Sequence, residues 1–309
     1  GFNVEGGESD QNLILLDGIP IFNPFHLGGL FGTFIDGAVD RVDLIEAGFP
    51  ARFGGRLSSV LDVASNEESR DGVHGSVEAS VLSASGVAGG GFDGGNGTWD
   101  VAARRTYDDA LARTFTSRVL PYHFEDVQGH AAYALPWGTR LSVTGFTGVD
   151  VLDGTISALA DSTAPGAGVL NFHWGNDVAG VTLAQPIRSD GGLFGDSTII
   201  AQRISSSHFS STFDIGTGAL SFGSAVNDVG LAGSIARYSA TNTVHLGYES
   251  DQYHVQYSLG SRRLATDQLS GNQRLASFAA YADDEWRPLP QLIVQPGLRW
   301  DCLLYTSDA

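Results

Sequence analysis

Residues 48–63 read GFPARFGGRLSSVLDV: two arginines, a glycine pair, a serine pair and then an alternating apolar run. A phosphate cradle would place a helix N-terminus after the glycines. Here an alternating, valine-containing run follows, which is the pattern of a strand. A catalytic turn would need a base beside Ser58 or Ser59, and the stretch offers none. The remaining reading is a structural join, and the texture on either side supports it.

Upstream, short apolar segments alternate with turn signals. NLILLDGIPIF, residues 12–22, predicts a strand, an Asp17-Gly18 turn and a second strand. Residues 36–39 predict a short helical turn, 41–47 a strand, and LSSVLDVAS (57–65) another. This is the pattern of a small α+β unit.

Downstream, from about residue 73, alternating segments of roughly ten residues follow one another, joined by two kinds of connection. Tight polar turns fall at 93–97, 136–139, 189–192, 238–241 and 289–291. Long connections are expected at 106–123, 150–168, 210–227 and 260–274. Short and long connections take turns, the loop asymmetry of an outer-membrane barrel. The alternation agrees: Val127, Ala131, Tyr133 and Leu135 share one face and Gln128 and His130 the other. Leu141, Val143 and Val149 likewise oppose Arg140, Ser142, Thr144 and Asp150, and Leu292, Val294, Leu298 and Trp300 oppose Gln295, Arg299 and Asp301. Tyr122, Trp137, Trp174, Trp286 and Trp300 sit near expected strand ends, as interfacial girdles do. The parity slips between 243 and 259, which a bulge or a strand rising above the membrane would explain. A soluble β-sandwich or solenoid shares the period of two, and the loop asymmetry favours the barrel over it.

Composition narrows the function. The 309 residues carry a formal net charge of −18 with 17 basic side chains, which excludes a nucleic-acid partner needing a basic face. There is no methionine, the only cysteine is Cys302, and no apolar run reaches the length of a transmembrane helix. Catalytic and metal motifs find no support. His123, Glu125, Asp126 and His130 crowd one segment, but on a strand the first two face one way and the last two the other. The acidic loops lack EF-hand spacing. GVAGGGFDGGNG (86–97) lacks the lysine of a phosphate-binding loop and precedes a strand. No metal, cofactor or enzymatic activity is expected.

VEGGESDQNLILLDGIPIFNPFHLGGLFGTF (4–34) together with DRVDLIEAGFPARFGGRLSSVLDV (40–63) resembles the second half of the plug domain of TonB-dependent outer-membrane receptors. ARRTY (103–107), WGN (174–176) and YADDEWRPLPQLIVQPGLRWD (281–301) resemble barrel-strand motifs of the same receptors. The resemblance implies a mainly β chain: a partial α+β plug over 1–70, then over 71–301 about eleven strands, half of a 22-stranded antiparallel transmembrane barrel. The fragment is not expected to close a barrel or to transport alone. CLLYTSDA, 302–309, departs from the pattern after GLRWD. It is similar to a tail produced by translating sequencing-adapter sequence, and is expected to be non-native; the alternative is that Leu303, Leu304 and Tyr305 continue the strand.

The resemblance also implies function without bond-breaking: TonB-dependent uptake of a scarce bulky nutrient (siderophore, cobalamin or glycan) across the outer membrane of a Gram-negative bacterium. The expected partners are the TonB complex through a segment absent from this chain, outer-membrane lipid, and a small-molecule or oligosaccharide ligand. The plug apices would carry the ligand contacts: Glu8, Ser9 and Asp10 in one turn, Asn23, Phe25 and His26 in the other. Arg52, Gly54, Gly55 and Arg56 would form a latch, the glycines turning the chain and the arginines pairing with barrel carboxylates. A non-transporting surface barrel, such as an adhesin, is the alternative, but it has no reason to carry a plug. A signalling receptor would need a further N-terminal domain.

Overall fold

The computed structural model describes residues 11–29, 31–46, 48–67, 71–107, 122–155, 169–188, 197–215, 220–261 and 269–306. The N-terminal part holds β1 (Asn12–Leu16), β2 (Ile19–Pro20), β3 (Phe25–His26), β4 (Phe31–Gly32), β5 (Val39–Ile45) and β6 (Ser59–Ser65). β1 and β2 form the expected hairpin. Asp17 and Gly18 both take positive φ, 51° and 77°, as its two-residue turn requires. Four of these strands make a mixed sheet in the order β2-β1-β6-β5, with β1 and β6 parallel and Leu16 opposite Val63. The α content expected over 1–70 is not found among the described residues, which carry only single 3-10 turns at Leu27–Gly29 and Asp36–Ala38. Asp36-Gly37-Ala38 is too short to continue and runs into Val39 and Val42, which favour a strand.

The rest is one long antiparallel sheet: β7 (Gly72–Ala79), β8 (Ser83–Phe92), β9 (Gly97–Thr106), β10 (Tyr122–Ala134), β11 (Arg140–Thr155), β12 (Val169–Arg188), β13 (Ser197–Ile215), β14 (Leu220–Tyr238), β15 (Asn242–Gly260), β16 (Leu269–Leu289), β17 (Leu292–Val294) and β18 (Gly297–Thr306). Each strand pairs with its neighbour in sequence, and β17 and β18 are two parts of one path along β16.

The register sorts the side chains by row. One row crosses the sheet as Val73, Gly90, Trp99, Ala131, Val143, Val181, Ile204, Leu231, Ser250, Phe278 and Cys302. The adjacent row runs His74, Gly89, Asp100, His130, Thr144, Gly180, Ser205, Gly230, Asp251, Ser277 and Leu303. In the first row Val143, Val181, Ile204 and Leu231 are exposed; in the second Asp100, His130, Thr144 and Ser205 are buried. A soluble protein does the reverse, whereas a wall between lipid and an occupied lumen requires this inversion.

What buries the polar row is the N-terminal unit. Leu16, Ile19, Ile21 and Val63 pack with Phe146 of β11 and Val178 of β12, and Ile35 and Ala38 with Ala102 of β9. Each of the buried Leu, Ile, Val and Phe side chains contributes about 1.5–3 kcal/mol. The unit touches the large sheet from Val87 on β8, beside Gly37, to Arg299 on β18, beside Ala51. Four strands span roughly 19 Å and eleven roughly 50 Å at the usual spacing. The small unit reaches both ends only because the large sheet curls around it.

Several sequence expectations change here. The parity slip at 243–259 is not a bulge: β15 pairs without a register shift to β14 and to β16 over its whole length. At 19 residues it is far longer than the roughly 9–11 residues that cross a membrane, the length expected of a strand that rises above one. The long connection expected at 210–227 is mostly strand, because β13 runs to Ile215 and β14 starts at Leu220. The strands also extend into 150–155 and 269–274, while residues 108–121, 156–168 and 189–196 lie outside the described residues. Tyr122 and Trp174 are not girdle residues. Both are buried, Tyr122 donating to Asp150 and stacking on Trp174 at 6.1 Å, whereas Trp137, Trp286 and Trp300 are exposed. Cys302–Thr306 continue β18, paired to Phe278–Arg274.

Candidate functional site

The site is the seat of the N-terminal unit, and it has three polar anchors around a cavity. The first lies under the NPFHL loop. His26, on β3, is 2% exposed and its ring lies parallel to Phe124 at 3.9 Å. Its Nδ1 is 2.8 Å from Asp150 of β11, and its Nε2 is 2.9 Å from Asp126 of β10. A carboxylate on each nitrogen favours the doubly protonated, cationic ring. Burial alone would lower the His26 pKa, but the hydrogen bonds and charges of Asp126 and Asp150 outweigh it and raise it. Arg104 of β9 closes the network, donating to Asp126 at 2.7 Å and to the carbonyls of Gly32 and Thr33. Phe31, Tyr122, Trp174 and Phe172 surround it.

The second anchor is the β1–β2 turn. Asp17 accepts from Ser65 at 2.7 Å, from Thr144 of β11 at 2.6 Å and from His130 of β10 at 3.1 Å. Burial pushes the Asp17 pKa up, and these donors more than offset it, holding the carboxyl below its ordinary value. The other nitrogen of His130 lies 3.1 Å from Glu67, which Arg140 also pairs at 2.6 Å; the His130 hydrogen bond leads in lowering the Glu67 pKa.

The third anchor is the stretch at 48–56. The Arg52 backbone N–H donates to Asp283 of β16 at 3.0 Å, and its guanidinium reaches the same carboxylate at 3.2 Å. Arg299 of β18 answers from the sheet side, donating to the carbonyl of Arg52 at 3.3 Å and pairing with Glu249 at 2.7 Å. Gly55 has φ 74°, which a side chain rarely adopts, and a Cβ on Gly54 would collide with the Arg299 guanidinium. Between this segment, the β1–β6 sheet and β13–β18 lies a cavity of about 960 Å³, with Asp62, Arg203, Glu249, Asp251 and Tyr281 among its walls. Burial raises the pKa of Asp62 there.

The residues expected to act from sequence are therefore distributed unevenly. Glu8, Ser9 and Asp10 lie outside the described residues. Asn23 exchanges two hydrogen bonds with Asn176 of β12, through its N–H at 3.3 Å and its carbonyl at 2.6 Å. Phe25 is half-buried, and His26 points into the interface rather than outward. Of the two latch arginines, Arg52 pairs with a carboxylate of the large sheet; Arg56 is exposed and bonds the carbonyl of its neighbour Gly55 at 2.8 Å. Asp126 and His130 face the seat while His123 and Glu125 pair on the opposite face, the split that strand parity requires. The sequence reading missed Asp17, Glu67, Asp150, Asp283 and Arg299, whose partners include residues 48 to 248 positions away in the chain.

A curled antiparallel sheet with an apolar outer row, a polar inner row and a small sheet seated on the inner side is the architecture of a β-barrel receptor. Solved structures of such receptors share it. The chain superposes on the ferric enterobactin receptor PfeA of Pseudomonas aeruginosa with a TM-score of 0.60 and 15% identity, over 95% of this chain and 50% of that one. It superposes on the siderophore receptor PiuA of Acinetobacter baumannii with a TM-score of 0.65 and 13% identity, over 99% and 53%. The copper transporter OprC gives a TM-score of 0.65 and 10% identity, over 95% and 46%. The chain thus spans about half the length of the solved structures it matches. No family model and no curated protein sequence matches the chain.

Proposed function

We propose that the chain is part of a TonB-dependent receptor of the Gram-negative outer membrane, residues 11–67 being plug and the long sheet about half of a barrel of about 22 strands. The observation that carries this is the inverted row pattern: exposed Val143, Val181 and Ile204 beside buried Asp100, His130 and Thr144, the polar row covered by the seated unit. The whole receptor takes up a scarce bulky nutrient, of the siderophore, cobalamin or glycan kind. The pull comes from the TonB complex acting on a segment before the plug, and ligand meets the apical loops. The three anchors hold the plug until it is pulled.

In this mechanism no bond is made or broken. His26, Asp17 and Arg52 tie successive parts of the plug to β10, β11 and β16, and the cavity beside Arg203 and Glu249 leaves one flank of the plug loosely packed. A pull that breaks the Arg52–Asp283 contact first would widen that flank while the His26 side stays seated. The test uses the full-length protein in its own membrane. It is expected to fractionate with outer membranes, to run as a heat-modifiable band, and to support ligand uptake that stops when TonB is deleted. A soluble monomer needing no detergent, or uptake indifferent to TonB, would refute the proposal.

A further inference from the structure

Apart from the three anchors, the inner row carries one charged group that nothing satisfies. Asp100 of β9 is 7% exposed, and neither carboxylate oxygen has a hydrogen-bond partner. His74 of β7 stands in the same row, and its Nδ1 is buried and also without a partner. Between them the row passes through Gly89 of β8, which faces both His74 and Asp100 directly. Two strand spacings separate their Cα atoms by about 10 Å. Both side chains stand on the same face of the sheet, and Gly89 places no side chain between them. A cleft of about 280 Å³ lies there, roofed by Gly37 and Asn66 of the N-terminal unit.

Leaving a carboxylate buried and unpaired costs several kcal/mol, so a charge-compensating ligand belongs in this cleft. The neighbouring His130 gives Asp100 no hydrogen bond, because both its nitrogens are engaged by Asp17, Thr144 and Glu67. Nor is a side chain on β8 available, since position 89 has none.

We propose that His74 and Asp100 hold a first-row divalent metal ion of mixed nitrogen and oxygen preference in the cleft over Gly89. One imidazole nitrogen and one carboxylate suit Zn²⁺ or its neighbours better than Ca²⁺ or Mg²⁺, which take oxygen ligands. No cluster of three or more His, Cys, Asp or Glu placed for a metal exists among the described residues, so water fills the remaining positions and binding is labile. Because Gly37 and Asn66 close the cleft, the ion fastens the start of the barrel to the N-terminal unit on the flank opposite Arg52.

The probe is Zn²⁺, titrated by calorimetry into the full-length protein in detergent after chelator treatment. One micromolar-range site per chain is expected. His74→Ala and Asp100→Asn should each weaken it by at least the roughly 10–100-fold that even outer-shell changes cost a metal site. His173→Ala, which removes the exposed His173–Asp153 pair, should leave it unchanged. Heat-modifiability of each variant checks folding. On the wild type alone, Zn²⁺ should protect His74 from diethyl pyrocarbonate, read by mass spectrometry. Absence of a stoichiometric site, survival of binding in either variant, or protection at other histidines only would overturn the assignment and leave Asp100 a protonated acid.

Discussion

His26 shows how a single side chain ties a loop to a wall. The groups facing it are Asp126 and Tyr122 from β10, Asp150 from β11 and Arg104 from β9, with Tyr122 bonded to Asp150 and Arg104 to Asp126. Its pKa is raised in the folded state, so its contribution is fully present below about pH 6.5 and is lost as pH rises through the raised value. Asp17 and Glu67 have lowered values, so theirs is present above about pH 4 and is lost as pH falls through those values. The seat is therefore tightest between about pH 4 and 6.5. After correction for the intrinsic rise of exchange with pH, residues 22–27 of the full-length protein should be more protected at pH 6 than at pH 9, and His26→Leu should abolish that difference in protection. His26→Leu should also destabilise by about 3 kcal/mol, near the low end for breaking a buried ion pair, because Arg104 and Tyr122 still serve the two carboxylates. A pH difference that survives the substitution would assign it to another group.

At the scale of elements, GFPARFGGRLSSVLDV becomes a bent strap between β5 and β6 whose two arginines have different fates. Arg52→Ala removes the ion pair to Asp283, whereas Arg56→Ala removes a contact to the strap's own backbone. In liposomes carrying the full-length protein, Arg52→Ala should raise passive solute leak several-fold and Arg56→Ala should leave it near wild type. Equal leak from the two would refute the strap as a one-sided latch. Much of this level was legible in the sequence. The LDG turn, the strand at 59–65 and the facing of Asp126 and His130 followed from turn chemistry and parity. The girdle assignment of Tyr122 failed although parity argued against it: position 122 shares the face of Asp126 and His130. The ends of β13 and β14 next to residues 216–219 read as loop because small polar residues and glycine interrupt their apolar alternation. Ser210, Ser211, Thr212 and Gly223 therefore show no lipid signature to read. Which carboxylate meets which cation was not legible, since those pairs depend on how far the large sheet curls.

At the scale of the whole molecule, a chain with mean hydropathy near zero and net charge −18 sorts its residues between an apolar and a polar face of one sheet rather than between apolar and polar segments. The polar face is tolerable only because a second unit covers it, so the seat and the wall specify each other: without the unit, Asp126, Asp150 and Thr144 would line an open groove. The apolar face, by contrast, must answer to depth. Val181 lies in the middle of the outer row between Val143 and Ile204, while Ile187, exposed on the same face, lies one residue before the end of β12. If lipid covers this face, Val181→Arg should cost about 2–4 kcal/mol of unfolding free energy in the reconstituted full-length protein, and Ile187→Arg about 0–1 kcal/mol, because the penalty falls from midplane to interface. Denaturant titration in lipid vesicles reads both. Equal costs would mean that water or protein covers Val143, Val181 and Ile204, and that the inverted rows have another cause. A steep difference between the two would fix the depth of the sheet along β12.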